Sequence, residues 1–405
     1  MTRSDQSAWG AGLTALVCGS LILLFSLGIR HSFGLFLQPI SAEQGWGRET
    51  FAFGVAVQNL VWGVSQPLTG MLADRFGATR LAVLGAVLYA AGVAAMALVT
   101  DPLLFAVTSG VLIGLALSAT TFPVIFGTVS RLVTPERRSQ AMGIVMAVGS
   151  FGQFILLPGA LGLVALFDWT GALLALAAMS LLMAPLALGL KEPPRPAKSE
   201  PQLGARAALK QAAEMRDFWL LGLGFFACGF QVVFIGTHLP AFLADEGIDV
   251  NVATIVLALI GLVNIVGAYS AGILGSHHRK PMLLAWIYLA RAALIAGFVL
   301  APVTAASAYA FGALMGLFWL STVPLTNGTV ASIWGVKHMS MLGGFVFLAH
   351  QLGSFLGGWM GGLIYDATGS YDIAWGIAIA VSLVAAVLNW PIRETPAAAR
   401  RVPAR

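Results

Sequence analysis

Apolar stretches long enough to cross a bilayer recur along this 405-residue chain from Gly12 to Trp390, with short polar connections between them. A span needs about 20 residues, because a hydrocarbon core of about 30 Å is crossed at about 1.5 Å per residue. Twelve such stretches are counted, at 12–39, 50–73, 80–100, 103–130, 140–166, 169–190, 218–243, 252–275, 281–300, 304–333, 341–365 and 372–391. Only 10% of the residues are charged, against about 25% in soluble domains. The composition therefore excludes a soluble multidomain protein and predicts an all-α integral membrane fold. The first stretch is too long for a signal-peptide core and no small-residue cleavage site follows it, so it is expected to be retained.

The connections fix the orientation. With twelve spans both termini lie on one side. Nineteen of the 22 Lys and Arg fall on that side, whereas the opposite connections carry mostly acids, Glu43, Asp101, Asp168, Asp245 and Asp366 among them. By the positive-inside rule both termini are expected in the cytoplasm, in a multi-pass protein of the plasma (inner) membrane. The net charge of +5 follows from the same asymmetry, so no nucleic-acid partner is implied. Cys18 and Cys228 lie far apart inside apolar spans, which predicts neither a disulfide nor a metal site but two small packing residues.

One long polar stretch, Lys191 to Asp217, divides the chain into an N-terminal half (1–190), a linker (191–217) and a C-terminal half (218–405), each half with six spans. Weak internal symmetry supports the division. Gly70 and Gly272 are 202 residues apart, and Gly143 and Gly343 are 200 apart. Repeated halves meeting around a midplane site are the architecture of secondary transporters.

After the second span the sequence reads GMLADRFGATR, Gly70 to Arg80. Gly70 permits close helix packing, Asp74 sits at the helix end, and Gly77 takes a turn conformation. Arg75 and Arg80 are expected to bridge to neighbouring helix ends. This pattern, between the second and third of twelve spans, resembles the signature loop of the major facilitator superfamily. The loop PERRSQAMG at Pro135–Gly143 also resembles that superfamily. The resemblance implies a charge lock that holds the outward-open state. It also implies that spans one, four, seven and ten line the cavity, and that spans three, six, nine and twelve support the outside.

Away from their ends, the spans contain two arginines, Arg30 and Arg291, and no aspartate or glutamate. A guanidinium stays charged at biological pH and is costly at membrane depth. With no carboxylate to pair it, the missing counter-ion is expected to be the substrate, a small organic anion. Arg30 is expected to grip that anion with two parallel hydrogen bonds; the alternative is snorkelling toward headgroups. His31 can hydrogen-bond the anion or take a proton. Arg291 either joins the site or bonds neighbouring helix carbonyls; because span nine should be peripheral, the structural role is the expectation. Further candidates are Gln58, Trp62 and Gln66 on one face of span two, Gln153, Gln231 and Asn264, then Trp319 and Asn327 around Pro324, and the pair His350–Gln351. For most of the amides, interhelical hydrogen bonding is the competing role.

The stretches FSLGIRHSFGLFLQPI, CGFQVVFIGTHLPAFL and FVFLAHQLGSFLGGWMGG resemble bacterial relatives of the monocarboxylate carriers and the oxalate–formate antiporters. The resemblance implies movement of a carboxylate with a proton or by exchange, with Arg30 standing beside the position of the carriers' first-span lysine. It also marks a departure. The carriers' charge pair in span eight falls at Asn264 and Ala268, so coupling through a carboxylate there is in doubt. The expected function is alternating-access transport of monocarboxylate-like anions, proton-coupled, with anion exchange and drug efflux as the alternatives. The expected partners are the anion, a proton and the lipid bilayer. No catalytic constellation and no cofactor motif occurs, so no enzyme and no cofactor is expected.

Overall fold

A computed structural model describes residues 3–46, 48–192, 204–397 and 399. These residues are overwhelmingly helical, and no strand occurs among them. Ten helical stretches are long and apolar enough to cross a membrane. One of these, Pro135–Leu190, runs for 56 residues and turns back at Asp168, where φ is 61°, so it holds spans five and six. Arg48–Phe76, 29 residues long and richer in polar residues, is span two. Ten stretches, one doubled, plus span two give the twelve spans. In the linker, Ala205–Ala213 forms a short helix.

Spans four and ten are both broken midway. In span four, Thr121 is extended (φ −119°, ψ −163°) between the helices Ile113–Thr120 and Phe122–Leu132. In span ten, residues 319–321 separate Ala305–Phe318 from Thr322–Trp334. Pro123 and Pro324 follow these breaks; each lacks a backbone N–H at the start of a new helix, where that donor would be unpaired anyway.

Small residues set the helix crossings. Lipid tails are as apolar as leucine, so close packing and interhelical hydrogen bonds drive association. A side chain at Gly28 would strike the Gly152 backbone, joining spans one and five, and one at Gly353 or Gly357 would strike span seven. Those contacts lie within the halves. Between the halves, Gly143 of span five meets Gly272 of span eight, and Gly70 of span two meets the Ser340 backbone of span eleven. The halves thus join through spans two and eleven and spans five and eight, with the segments of spans four and ten nearest the termini adding to the contact. The chain is closed on the side of its termini.

Ion pairs cluster on that side, and one of their arginines also reaches across to the other half. Arg131 at the end of span four donates to Asp74 at 2.8 Å, to Glu192 at 2.7 Å, and to the carbonyl of Val336 in the other half at 3.3 Å. Lys280 at the start of span nine pairs with Glu394 at 2.6 Å. The expectation for the loop arginines is corrected here. Arg80 is exposed, and Arg75 is exposed over the Phe76 ring at 5.0 Å. Arg131, within reach of three helix ends, does the bridging instead. Gly77 has φ 89°, as the tight turn requires.

Candidate substrate site

Span two presents one polar stripe to the centre: Asn59, Trp62 and Gln66, at helical spacing i, i+3 and i+7. Arg30 of span one turns toward it. Its Nη2 donates to Asn59 Oδ1 at 2.5 Å, and its guanidinium carbon lies 5.2 Å from the Trp62 ring. The ring's negative face attracts the cation. Arg30 therefore points across the bundle rather than snorkelling outward. Its Nε has no hydrogen-bond partner. His31, one residue on, is exposed, with Nδ1 2.7 Å from the Leu27 carbonyl.

Trp62 anchors an aromatic floor that crosses the two halves. Its Nε1 donates to Gln66 Oε1 and Thr121 Oγ1, both at 3.0 Å. The ring lies 5.1 Å from Phe347 of span eleven, which stacks on His350 at 5.1 Å. Phe225 of span seven packs 4.6 Å from His350 and 6.4 Å from Phe347. Gln351 Nε2 donates to the Asn59 carbonyl at 3.1 Å, and Gln351 Oε1 lies 3.1 Å from His350 Nδ1. A polar path thus runs from Arg30 through Asn59 and Gln351 to His350.

The C-terminal half holds a second buried charge. Arg291 is 0% exposed, yet none of its three guanidinium nitrogens has a hydrogen-bond partner. The expectation that it bonds helix carbonyls fails among the described residues. Span nine is peripheral, yet this long side chain is fully buried. Tyr288, one turn before Arg291, lies 5.9 Å from the guanidinium carbon. Thr322, at the break of span ten, donates to Cys228 Sγ at 3.1 Å. His350 Nε2 has no hydrogen-bond partner.

The remaining candidates mostly join helices. Gln58 Nε2 donates to the Ser109 carbonyl, Gln66 Nε2 to the Ser118 carbonyl, and Gln231 Nε2 to the Ala378 carbonyl and Ser382 Oγ. Asn264 clamps span eight to Ser150 of span five and to the Leu320 backbone at the span-ten break. Asn327 Nδ2 bonds its own helix at Val323 while Oδ1 has no partner. Trp319 is buried, and its carbonyl accepts from the Cys228 thiol at 3.9 Å. Gln153 is half-buried, with Nε2 unbonded. Sequence reasoning passed over Asn59, Cys228, Tyr288 and the phenylalanines. Asn59 had a signal, since it lies one turn before Trp62 on the same face.

The Major Facilitator Superfamily model matches residues 16–358. The chain belongs to this superfamily. Superfamily membership makes it a membrane transporter rather than an enzyme. It is 26% identical to YcxA of Bacillus subtilis, an uncharacterized transporter of the superfamily, over 90% of this chain and 92% of that one. It is also 26% identical to monocarboxylate transporter 13 of Bos taurus, over 91% and 85% of the two chains. Among solved structures, the Escherichia coli fucose:proton symporter FucP superposes with TM-score 0.71 at 18% identity, over 93% of this chain and 97% of that one. That likeness agrees with the twelve-helix superfamily fold.

Proposed function

We propose that this superfamily member carries small organic anions bearing a carboxylate across the plasma membrane by alternating access, with both termini in the cytoplasm. One observation carries the reading: Arg291 is fully buried with no hydrogen-bond partner, and away from their ends the spans hold no acidic residue to neutralise it. A buried guanidinium left alone is strongly unfavourable, so the site is built for an anion. Arg30 adds a second positive group on the opposite half. The similarity to a monocarboxylate transporter supports a carboxylate cargo, and the basic connections support the orientation.

Drug efflux is less well supported, because a cationic drug would meet two arginines and no acid. Purified protein in liposomes should take up lactate, pyruvate or oxalate and leave a cationic dye outside. Uptake of the dye with none of the anions would overturn the reading.

A further inference from the structure

His350 of span eleven has one ring nitrogen hydrogen-bonded and the other bare. Its side chain is 7% exposed. Nδ1 lies 3.1 Å from Gln351 Oε1, and Nε2 has no hydrogen-bond partner. In a neutral imidazole one nitrogen donates and the other accepts. Which nitrogen carries the hydrogen therefore decides what the bare one can do.

The neighbours of the ring fix that choice. Gln351 Nε2 donates to the Asn59 carbonyl of the other half at 3.1 Å. A carbonyl only accepts, so the amide turns its NH2 group to Asn59 and its oxygen to His350. The reversed amide would set Oε1 against the Asn59 carbonyl, two acceptors in contact. A side chain at Gly63 of span two would strike Gln351, so glycine there lets the amide lie against span two. Facing Oε1, Nδ1 carries the hydrogen. Ser354 Oγ lies 3.4 Å from Oε1 and 3.5 Å from Nδ1, and its hydroxyl donates to the second lone pair of Oε1. Nε2 is left with a lone pair and no hydrogen. The Cys228 thiol of span seven does not fill it, because that thiol donates to the Trp319 carbonyl at 3.9 Å. The rings of Phe225 and Phe347, 4.6 and 5.1 Å away, offer no polar donor. A buried acceptor left unbonded is costly, so this nitrogen is built to meet a donor on a ligand.

We propose that His350 Nε2 accepts a hydrogen bond from a hydroxyl of the substrate, and that Gln351 is the positioning residue that keeps this nitrogen unprotonated. This assignment rests on the organic-anion reading above and narrows the cargo to hydroxy acids over their keto counterparts. A keto acid presents an oxygen lone pair where the hydroxyl hydrogen would sit, so two acceptors oppose each other. A site built to hydrogen-bond a substrate hydroxyl rejects an analogue that lacks it. The bond that pins Gln351 crosses the halves, so it lasts only while spans two and eleven stay packed. Once they part, the amide is free to turn and the acceptor is no longer fixed.

Two measurements test this. The first needs no transport. Full-length protein with isotope-labelled histidine is studied in lipid by solid-state NMR at alkaline pH, where the imidazole is neutral. The chain has six histidines, and His350→Phe identifies the relevant signal by its loss. A ring protonated at Nδ1 is expected for His350, and Gln351→Met should abolish that preference. A ring protonated at Nε2 in wild type, or one still fixed at Nδ1 in Gln351→Met, overturns the assignment.

The second measurement compares lactate with pyruvate, which differ in the oxygen beside the carboxylate. Wild-type protein in liposomes should take up lactate at least about fivefold faster than pyruvate at equal low concentration. In His350→Phe, which keeps the aromatic stack without the acceptor, the ratio should fall to about one. Gln351→Met should lower it with His350 still in place. A wild-type rate for lactate no higher than for pyruvate, or a ratio unchanged in His350→Phe, overturns the proposal. If His350→Phe does not fold, the wild-type ratio and Gln351→Met still decide. If wild-type protein moves no lactate, pyruvate or oxalate, the organic-anion reading fails and the hydroxyl subsite with it, while the ring tautomer still decides the role of Gln351.

Discussion

Asp74 and Met341 are 267 residues apart in sequence, yet Asp74 Oδ2 accepts the Met341 backbone N–H at 2.9 Å. Asp74 thus holds the first turn of span eleven, where helical N–H groups have no partner of their own. Its other oxygen accepts from Arg131 at 2.8 Å. One carboxylate ties both halves together on the side of the termini. Asp74→Asn leaves Arg131 its Glu192 partner but removes the charge from the tie. The closed arrangement should lose about 1–3 kcal/mol. A cysteine introduced at Leu325, fully buried behind the closure, should then react with maleimide at least about fivefold faster. An unchanged labelling rate would mean that Asp74 does not hold the closure.

Two glycines separate conformational effects from stability. Gly143 approaches Gly272 across the halves, whereas Gly353 lies against the Phe226 carbonyl within one half. Gly143→Leu should prevent closure while each half stays packed, so transport is lost and thermal stability changes little. Gly353→Leu forces spans seven and eleven apart and should cost about 1–3 kcal/mol, seen as a lower melting temperature. Equal melting losses in both variants would remove the distinction.

Arg30 is expected to be the anion's first contact. Arg30→Ala should cut transport at least about tenfold with membrane insertion intact. Arg30→Lys should recover little, because an ammonium lacks the planar fork and the flat contact with Trp62. Normal uptake by Arg30→Ala would rule out that role.

Arg291 gives the sharper thermodynamic test. Replacing an uncompensated buried charge by an apolar side chain of similar length removes its desolvation penalty. Arg291→Met should therefore melt at a temperature equal to or above wild type, while losing the rise in melting temperature that an anion gives by mass action. A strongly destabilised variant would show that the guanidinium holds the fold together.

His31 and His350 are the histidines that could carry a proton. His31 is exposed and bonded to its own helix, whereas His350 is buried against Phe225 and Phe347. If a histidine carries the proton, His350→Gln should lower the ratio of acid-driven to exchange flux more than His31→Gln does; ratios equal to wild type in both variants would exclude the two histidines.

Hydrophobicity and charge are local properties, and here they determined much by themselves. The twelve spans, the turn at Gly77 and the pair of arginines without an acid were all legible along the chain. Long-range pairing was not. Gln58, Gln66, Gln231 and Asn264 look like binding residues in sequence because an amide's partner is invisible there. In the fold their nitrogens meet carbonyls and hydroxyls of neighbouring helices. Arg131 went unnoticed because its partners, Asp74 and Glu192, lie 57 and 61 residues away. Arg291 was assigned to the periphery because its helix is peripheral. Only the tertiary structure shows that its side chain is fully buried with no hydrogen-bond partner. A helix fixes where a side chain starts, but the packing of other helices around it decides which polar groups it meets. At membrane depth those encounters determine whether a charge is neutralised or left for a ligand.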